Sequence, residues 1–201
     1  MSELSLKDFE ILSEQDQNEA LALLSRYDQM EKQDKCQNDF IEFVKHMWPE
    51  CILGRHHKII GDKFNKIAQG KLKRLIVCLP PRHSKSEFAS TYFPAWMMGR
   101  KGDLKIIQTT HTAELAVRFG RKVRNIIDSD DYSQVFPELQ LQADNKSAGR
   151  WTTNQEGESF YAGVGGAITG RGADLLIIDD PHSEQDALSP TAMESAYEWY
   201  T

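Results

Sequence analysis

Three short apolar runs, separated by longer stretches with helical periodicity, constrain the fold of this chain more than any other feature. The runs are RLIVCL at 74–79, LKIIQ at 104–108 and LLII at 175–178, and a weaker candidate is SFYA at 159–162. Continuous apolar runs of this length are typical of buried parallel strands. The alternation predicts an α/β fold with a mainly parallel central sheet and helices on both faces. In such a sheet, a ligand site is expected at the carboxyl ends of the strands.

The segments between these runs carry the periodicity and the end signals of helices. Neither Gly nor Pro occurs before Pro49, and apolar residues recur at helical spacing, which predicts a helical N-terminal arm over residues 1–40. The domain that follows is predicted to span residues 41–201. Its predicted helices lie at 56–68 with Ile59, Ile60 and Phe64 on the apolar face, at 84–98 with a kink near Pro94, after an N-cap at Thr112, and from about 190 onward.

Charge is distributed unevenly along the chain. The 24 basic and 30 acidic residues give a net charge of −6, but residues 1–39 carry −6, residues 45–124 carry +12 and residues 125–201 carry −11. The basic central segment is expected either to bind a polyanion, such as phosphate or nucleic acid, or to be neutralised within the fold by the acidic segment. Charge alone leaves both explanations open.

Composition argues against several other classes of protein. No stretch approaches the roughly 18 uninterrupted apolar residues of a membrane-spanning helix, and the acidic first thirty residues are unlike a secretory signal peptide. The chain is therefore expected to have no membrane partner and to remain in a cytoplasm. Three cysteines, Cys36, Cys51 and Cys78, form no C-x-x-C spacing, which favours reduced, buried thiols over a disulfide framework or a zinc site.

The residues that follow the first apolar run have the pattern of a phosphate-binding loop, G-x-x-x-x-G-K-[ST]. The eight residues from Leu79 to Ser86 keep the lysine and hydroxyl, Lys85 and Ser86, but replace both glycines with Leu79 and Ser84. In such loops, backbone N–H groups cradle phosphates while the lysine and hydroxyl meet phosphate and magnesium. A helix start that uses these residues only for capping is the alternative. The predicted nucleotide-binding residues are Pro81, Arg82, His83, Ser84, Lys85 and Ser86.

The last apolar run ends in two acids, Asp179 and Asp180. Burying carboxylates at the end of a strand is costly without a cation, so we expect Asp179 to bind Mg²⁺ together with Ser86. Asp180 is then expected to polarise the attacking water for hydrolysis of ATP, with Lys85 as its catalytic partner. Glu184 and His182 are close enough in sequence to take part of either role. A turn or helix cap at Asp179-Asp180-Pro181 is the alternative.

Five ordered blocks of this sequence resemble the ATPase domain of the large terminase subunit, the DNA-packaging motor of tailed bacteriophages. The resemblance covers roughly residues 38–201. Its blocks are RLIVCLPPRHSKSE, FPAWMMGR, HTAELAVRFGRKVRNII, GVGGAITGRGADLLIIDDPHSE and SPTAMESAYEWY. It implies a P-loop NTPase of the additional-strand (ASCE) type, with Lys85 and Ser86 as the Walker A pair, Asp179 as the Walker B aspartate and Asp180 in the catalytic slot.

The same resemblance implies partners and a setting. The implied cofactors are ATP and Mg²⁺, and the implied partners are double-stranded DNA, a portal protein and a small terminase subunit. The complete motor is expected to form a homo-oligomeric ring and to act in the host cytoplasm during virion assembly. Contact with DNA is expected mainly through its phosphates, because a motor that moves along arbitrary sequence cannot depend on base edges.

The chain departs from the family pattern in three respects. Many relatives carry Glu where this chain has Asp180, which leaves open whether Asp180 or Glu184 orients the water. The glutamine that contacts adenine upstream of the loop is not evident, and His57 is a candidate for that contact. The nuclease domain of this family has no counterpart in these 201 residues, so we expect a C-terminally incomplete ATPase domain without nuclease activity. We also expect an exposed sheet edge, which impairs stability or rearranges the C-terminus unless another chain covers that edge.

Arginines that neutralise charge on the γ-phosphate are common in such motors. The candidates are Arg82, Arg121, Arg124 and Arg171, and a solvated basic face is the alternative for each. The leading hypothesis is an ATP-hydrolysing motor domain that drives double-stranded DNA into procapsids. Two alternatives stay open: a helicase-like P-loop NTPase that acts on nucleic acid, and a truncated nucleotide-binding core without turnover.

Overall fold

The fold is an open five-stranded sheet with helices, seen in a computed structural model that describes residues 13–168 and 170–200. Its α/β class is the one predicted, and the first twelve residues of the predicted arm lie outside the described residues. The helical elements are α1 (Glu14–Asn38), α2 (Phe40–Met47), α3 (Arg55–Ala68), α4 (Lys85–Glu87), the π-turn (Phe88–Tyr92), α5 (Phe93–Arg100), α6 (Ala113–Ile127), α7 (Asp130–Val135), a 3₁₀ turn (Asp186–Leu188) and α8 (Pro190–Tyr200). The strands are β1 (Lys105–Thr110), β2 (Leu141–Ser147), β3 (Arg150–Thr153), β4 (Glu158–Gly163) and β5 (Leu175–Ile178).

The sheet has a parallel half and an antiparallel half, in the order β2-β3-β4-β1-β5. In the parallel half, Ile107 of β1 lies opposite Phe160 of β4 and Leu176 of β5. In the antiparallel half, β3 pairs with β4 and β2 pairs with β3. The strands β1, β4 and β5 confirm three of the predicted strands. The hairpin of β2 and β3 lacks a continuous apolar run and was not predicted.

The apolar run at 74–79 is not a strand, which corrects the prediction for this segment. Its backbone is irregular, and no strand in the described part of the chain pairs with it. Leu75, Val77 and Leu79 pack against the core, whereas Ile76 is 89% exposed and Cys78 is also exposed. A strand requires a hydrogen-bonded neighbour on at least one side, and an apolar sequence cannot supply one. The expected burial of Cys78 is therefore also wrong, whereas Cys36 is buried.

Strand β5 forms an edge of the sheet, although its sequence predicted a fully buried strand. It pairs with β1 on one side, and no described strand pairs with its other side. Leu175 and Ile177 pack against the core, but Leu176 and Ile178 remain 42% and 38% exposed. Strand β5 therefore has apolar residues on both faces, but only the face that carries Leu175 and Ile177 packs against the core.

The predicted helices are present, with two differences in detail. In α3 the buried residues are His57, Ile60, Gly61 and Phe64, which follow the helical spacing of three and four residues. Ile59 lies outside this stripe and is 51% exposed, so its predicted place on the buried face is wrong. Thr112 caps α6 as predicted, since its side chain accepts a hydrogen bond from the backbone N–H of Leu115.

A π-turn lies directly before Pro94, where the sequence predicted a kink. The N–H of Phe93 donates to the carbonyl of Phe88, five residues earlier, which is the π-helical pattern. Pro94 has no N–H, so it cannot donate to the carbonyl of Ser90 four residues earlier. Instead, Nε2 of Gln108 in β1 donates to that carbonyl at 3.1 Å. The segment from Lys85 to Arg100 is thus helical throughout, with one widened turn.

The core lies between the helices and one face of the sheet, and Phe40 of α2 is at its centre. Its ring makes edge-to-face contacts with four others, from α3, the π-turn and α5: Phe64, Phe88, Phe93 and Trp96. The helix α6 packs against β4 and β1. Within residues 13–168 and 170–200, no helix combines the length and apolar character needed to cross a membrane.

Candidate nucleotide-binding site

Lys85 meets two aspartates from the C-terminal part of the chain. Its Nζ lies 2.5 Å from Oδ1 of Asp180 and 3.7 Å from Oδ1 of Asp179. Lys85 starts the helical segment after the loop, and the aspartates follow the carboxyl end of β5. Asp179 is buried, whereas the side chain of Asp180 is 62% exposed. Asp179 therefore lies inside the site, and Asp180 lies at its solvent-exposed edge.

The two carboxylates keep Lys85 in its charged form. Burial lowers the pKa of Lys85, but the hydrogen bond with Asp180 and the charges of Asp179 and Asp180 together outweigh burial and raise the pKa above its ordinary value. An ammonium group that is already half-enclosed and charged can exchange a carboxylate for a phosphate oxygen. Lys85 is therefore positively charged at neutral pH and is the one group of these three that can pair with an anion.

Strained backbone is concentrated around this lysine. Among the described residues, four non-glycine residues have positive φ, and three of them lie here: Arg82 at 62°, Ser84 at 57° and Asp180 at 45°. The fourth is Glu156, in a turn between strands. L-residues adopt this region at an energetic cost, and such residues cluster at functional sites. Ser84 shows how the loop forms without its second glycine, because it adopts the left-handed conformation itself.

The hydroxyl that contacts Asp179 belongs to Ser90, a residue that sequence reasoning missed. Ser90 Oγ donates to Asp179 Oδ2 at 2.8 Å, and both residues are buried. The backbone N–H of Asp179 donates to the carbonyl of Thr109, which continues the pairing of β5 with β1. Ser86, the predicted metal ligand, lies half-buried in α4 beside Lys85. No sequence signal identifies Ser90, because only the π-turn directs its hydroxyl to Asp179.

His57 lies beside the loop but is closed off from solvent. Its ring stacks on Phe88 at 4.5 Å, and its Nδ1 accepts the backbone N–H of Gly54 at 3.0 Å. Burial and the neighbouring charge of His56 lower the pKa of His57. The Nε2 atom is buried and has no hydrogen-bond partner among the described residues. A contact from His57 to adenine would require the surrounding side chains to open.

The remaining loop residues are exposed. The Nδ1 atom of His83 lies 2.9 Å from the carbonyl oxygen of Pro81. Arg82 is exposed, and none of the ion pairs between described residues includes it. The backbone N–H of His111 donates to the carbonyl of Asp180 at 3.2 Å. This hydrogen bond joins the residue after β1 to the turn after β5. The loop and the turn after β5 thus face each other across Lys85.

The other candidate residues lie at varying distances from this centre. Glu184 is exposed beyond Asp180, and Lys85 pairs with the two aspartates rather than with it. Arg121 is exposed on α6, where Arg124 is half-buried and contacts Asn125. Neighbouring Lys122 on α6 forms an ion pair with Glu87, which ties this helix to α4.

Arg171 belongs to the opposite end of the parallel strands. Its guanidinium lies 4.0 Å from the centre of the Phe160 ring, and Nη1 donates to Glu158 Oε1 at 3.0 Å. Glu158 starts β4, whereas Asp179 follows the carboxyl end of β5. Since β4 and β5 both run parallel to β1, the structure separates Arg171 from Lys85 by about the length of the strands.

The oxygen donors near Lys85 are of the kind that binds Mg²⁺ together with a phosphate ligand. No group of three or more His, Cys, Asp or Glu side chains in the described part of the chain could enclose a metal by itself. Mg²⁺ is usually bound by one or two carboxylates together with water and substrate phosphates. Oδ1 of Asp179, Asp180 and the hydroxyl of Ser86 are oxygen donors of that kind.

A comparison of the chain with protein-family models gives no match, and neither does a comparison with curated proteins.

Proposed function

We propose that this chain binds ATP with Mg²⁺ and hydrolyses it, as the ATPase domain of a terminase-like motor that moves double-stranded DNA. The observation that carries the proposal is the meeting of Lys85 with Asp179 and Asp180 next to a strained loop. A lysine at the start of a helix and acids at the end of a parallel strand are the two halves of a P-loop NTPase site.

Each residue of the site has a role in this proposal. The backbone N–H groups of residues 82–84 and the ammonium of Lys85 hold the phosphates, and Lys85 exchanges Asp180 for a phosphate oxygen. Asp180 is then free to orient and polarise the attacking water. Asp179 and Ser86 bind the Mg²⁺ ion, which supplies charge neutralisation at the phosphates when bound. Glu184 remains the second candidate for orienting the water, and Arg82 and Arg121 for the arginine finger.

A basic surface near the loop supports DNA as the partner. Residues 55–74 contain seven Lys or Arg and one acid, Asp62. Lys63 and Lys66 pair with Asp62, whereas the other five are exposed: Arg55, Lys58, Lys71, Lys73 and Arg74. A surface of this kind binds the phosphate backbone without sequence preference. The ring, the portal protein and the small terminase subunit belong to the proposal through the resemblance alone.

One observation favours a second candidate function, nucleotide binding without turnover. The segment at 74–79 that leads into the loop has no strand partner in the described part of the chain. A loop that is anchored on one side only can bind phosphates yet fail to hold them in line with the attacking water.

The test is ATP hydrolysis in Mg²⁺, with and without double-stranded DNA, by the wild-type chain and its Lys85→Ala and Asp180→Ala variants. We expect each substitution to reduce turnover by roughly 100-fold or more, because each removes a group that acts on the phosphates or the water. Lys101→Ala, at an exposed lysine outside the site, is the matched control and should retain wild-type turnover. Equal turnover in all four proteins contradicts the proposal, and nucleotide binding without hydrolysis supports the second candidate.

A further inference from the structure

The two carboxylate oxygens of Asp179 lie in different environments. Oδ2 accepts the hydrogen bond from Ser90 at 2.8 Å, whereas Oδ1 faces Lys85 at 3.7 Å. Ser90 is fully buried and Asp179 is 6% exposed, so water has little access to the bond between them. A shielded hydrogen bond to an ionised carboxylate is among the stronger ones in proteins. One oxygen is therefore committed to Ser90, and the other remains directed into the site.

The position of Ser90 is fixed by three features of its surroundings. The π-turn adds a residue to the helical turn that carries Ser90. Pro94 leaves the carbonyl of Ser90 without the N–H that an α-helix would provide. Nε2 of Gln108, a fully buried residue of β1, donates to that carbonyl at 3.1 Å. Ser90 is thus attached to the sheet by its carbonyl and to Asp179 by its hydroxyl.

We propose that Ser90 is a positioning residue that makes Asp179 a one-oxygen ligand and so sets the preference of the site for Mg²⁺ over Ca²⁺. Mg²⁺ demands an octahedral shell and readily takes a single carboxylate oxygen, whereas Ca²⁺ takes six to eight oxygens and often binds both oxygens of a carboxylate. With Oδ2 held by Ser90, a larger cation loses one contact and a small one loses none. The inference rests on the proposed nucleotide site, which brings the cation to Asp179.

The experiment measures cation-dependent binding of a fluorescent ATP analogue, which requires no turnover. Mg²⁺ and Ca²⁺ are titrated separately, and the ratio of half-saturating Ca²⁺ to half-saturating Mg²⁺ is compared among variants. We expect Ser90→Ala to lower this ratio about fivefold or more, because both oxygens of Asp179 become available to Ca²⁺. Ser90→Thr, which keeps the hydroxyl, should restore the wild-type ratio. Ser159→Ala is the matched control, since Ser159 is a fully buried serine of β4 that lies opposite Ile106 near the start of β1, whereas Asp179 follows the end of β5.

The outcomes separate this inference from the proposed function. Cation-dependent binding by the wild-type chain with an unchanged ratio in Ser90→Ala overturns the role of Ser90 and leaves the nucleotide site intact. Absence of analogue binding by the folded wild-type chain overturns the nucleotide site and this inference with it. If circular dichroism shows that Ser90→Ala is unfolded, Ser90→Cys replaces it, because a thiol has similar size and donates weakly. The ratio in Ser90→Cys must also fall, and an unchanged ratio overturns the inference.

Discussion

Ser84 has a left-handed backbone, with φ 57° and ψ 19°, at the position where phosphate-binding loops usually carry glycine. An L-residue in this region costs about 1–2 kcal/mol, while glycine loses about 0.5–1 kcal/mol more conformational freedom on folding. We expect Ser84→Gly to raise the free energy of unfolding by about 0.5–1 kcal/mol, measured by urea denaturation. Ser86→Gly, two residues later within α4, should lower it by a similar amount. Equal effects of the two substitutions would contradict strain at Ser84.

His57 gives the stability of the fold a dependence on acidity. Its pKa in the folded chain lies below the ordinary value of 6.5, first because it is buried and then because of the charge of His56. As the pH falls below about 6.5, the unfolded chain binds a proton at His57 and the folded chain resists it. The free energy of unfolding should therefore fall with pH, by at most about 1.4 kcal/mol per pH unit, until the folded-state pKa is reached.

The measurement is urea denaturation between pH 7.5 and 5 for the wild-type chain and His57→Asn. Asparagine can still accept the backbone N–H of Gly54 that Nδ1 accepts now. We expect the variant to show a flatter pH dependence over this range. His46→Asn on α2 is the control, and it should keep the wild-type slope. A wild-type slope in His57→Asn would show that other groups cause the acid sensitivity.

At the scale of elements, Gly120 determines how closely α6 approaches the sheet. A Cβ at this position would lie 2.2 Å from the carbonyl oxygen of Ala148 and 2.7 Å from the ring of Tyr161. The helix must therefore move away from β4 if the residue is enlarged. We expect Gly120→Ala to lower the free energy of unfolding by about 1–3 kcal/mol, although alanine favours helix formation by nearly 1 kcal/mol.

The control for this helix is Arg121→Ala, at the next residue, which is exposed. It should change the free energy of unfolding by less than about 0.5 kcal/mol, because it removes no buried contact. Thermal or urea denaturation of both variants decides between the two effects. A stabilising Gly120→Ala would mean that propensity dominates over the approach of α6 to β4.

At the scale of the whole molecule, the unpaired side of β5 is the feature most open to association. Its backbone has no described partner on that side, and Leu176 and Ile178 are partly exposed on one face. Edges of this kind readily pair with another chain. We expect the wild-type chain to self-associate as its concentration rises, and Leu176→Lys to reduce that association severalfold in sedimentation velocity.

The control variant is Leu188→Lys, which removes an 87% exposed leucine from the 3₁₀ turn rather than from a strand edge. If pairing along β5 causes the association, this control should change it little. Equal reductions by the two lysines would point to general apolar contact, and a monomeric wild-type chain at high concentration would contradict an associating edge.

The sequence was sufficient to predict the elements whose signals are local. Thr112 and the apolar stripe of α6 mark a helix by themselves, because a cap and a 3.6-residue period depend only on nearby residues. The same holds for the strands β1, β4 and β5. The meeting of Lys85 with the two aspartates did not follow from such signals, because the strand predicted at 74–79, which would have brought Lys85 to the carboxyl end of the sheet, is not formed.

Only the tertiary structure decided which apolar runs become paired strands and which hydroxyl reaches Asp179. Residues 75–79 are as apolar as β5, but pairing depends on a neighbouring strand, and none is described beside them. No sequence signal identified Ser90 as the partner of Asp179. The position of its hydroxyl depends on a π-turn, on the missing N–H of Pro94 and on a hydrogen bond from Gln108 in another element. Local signals determine which secondary structures a segment can form, whereas hydrogen bonds between distant segments determine which segments pair. These bonds exist only after the chain has folded.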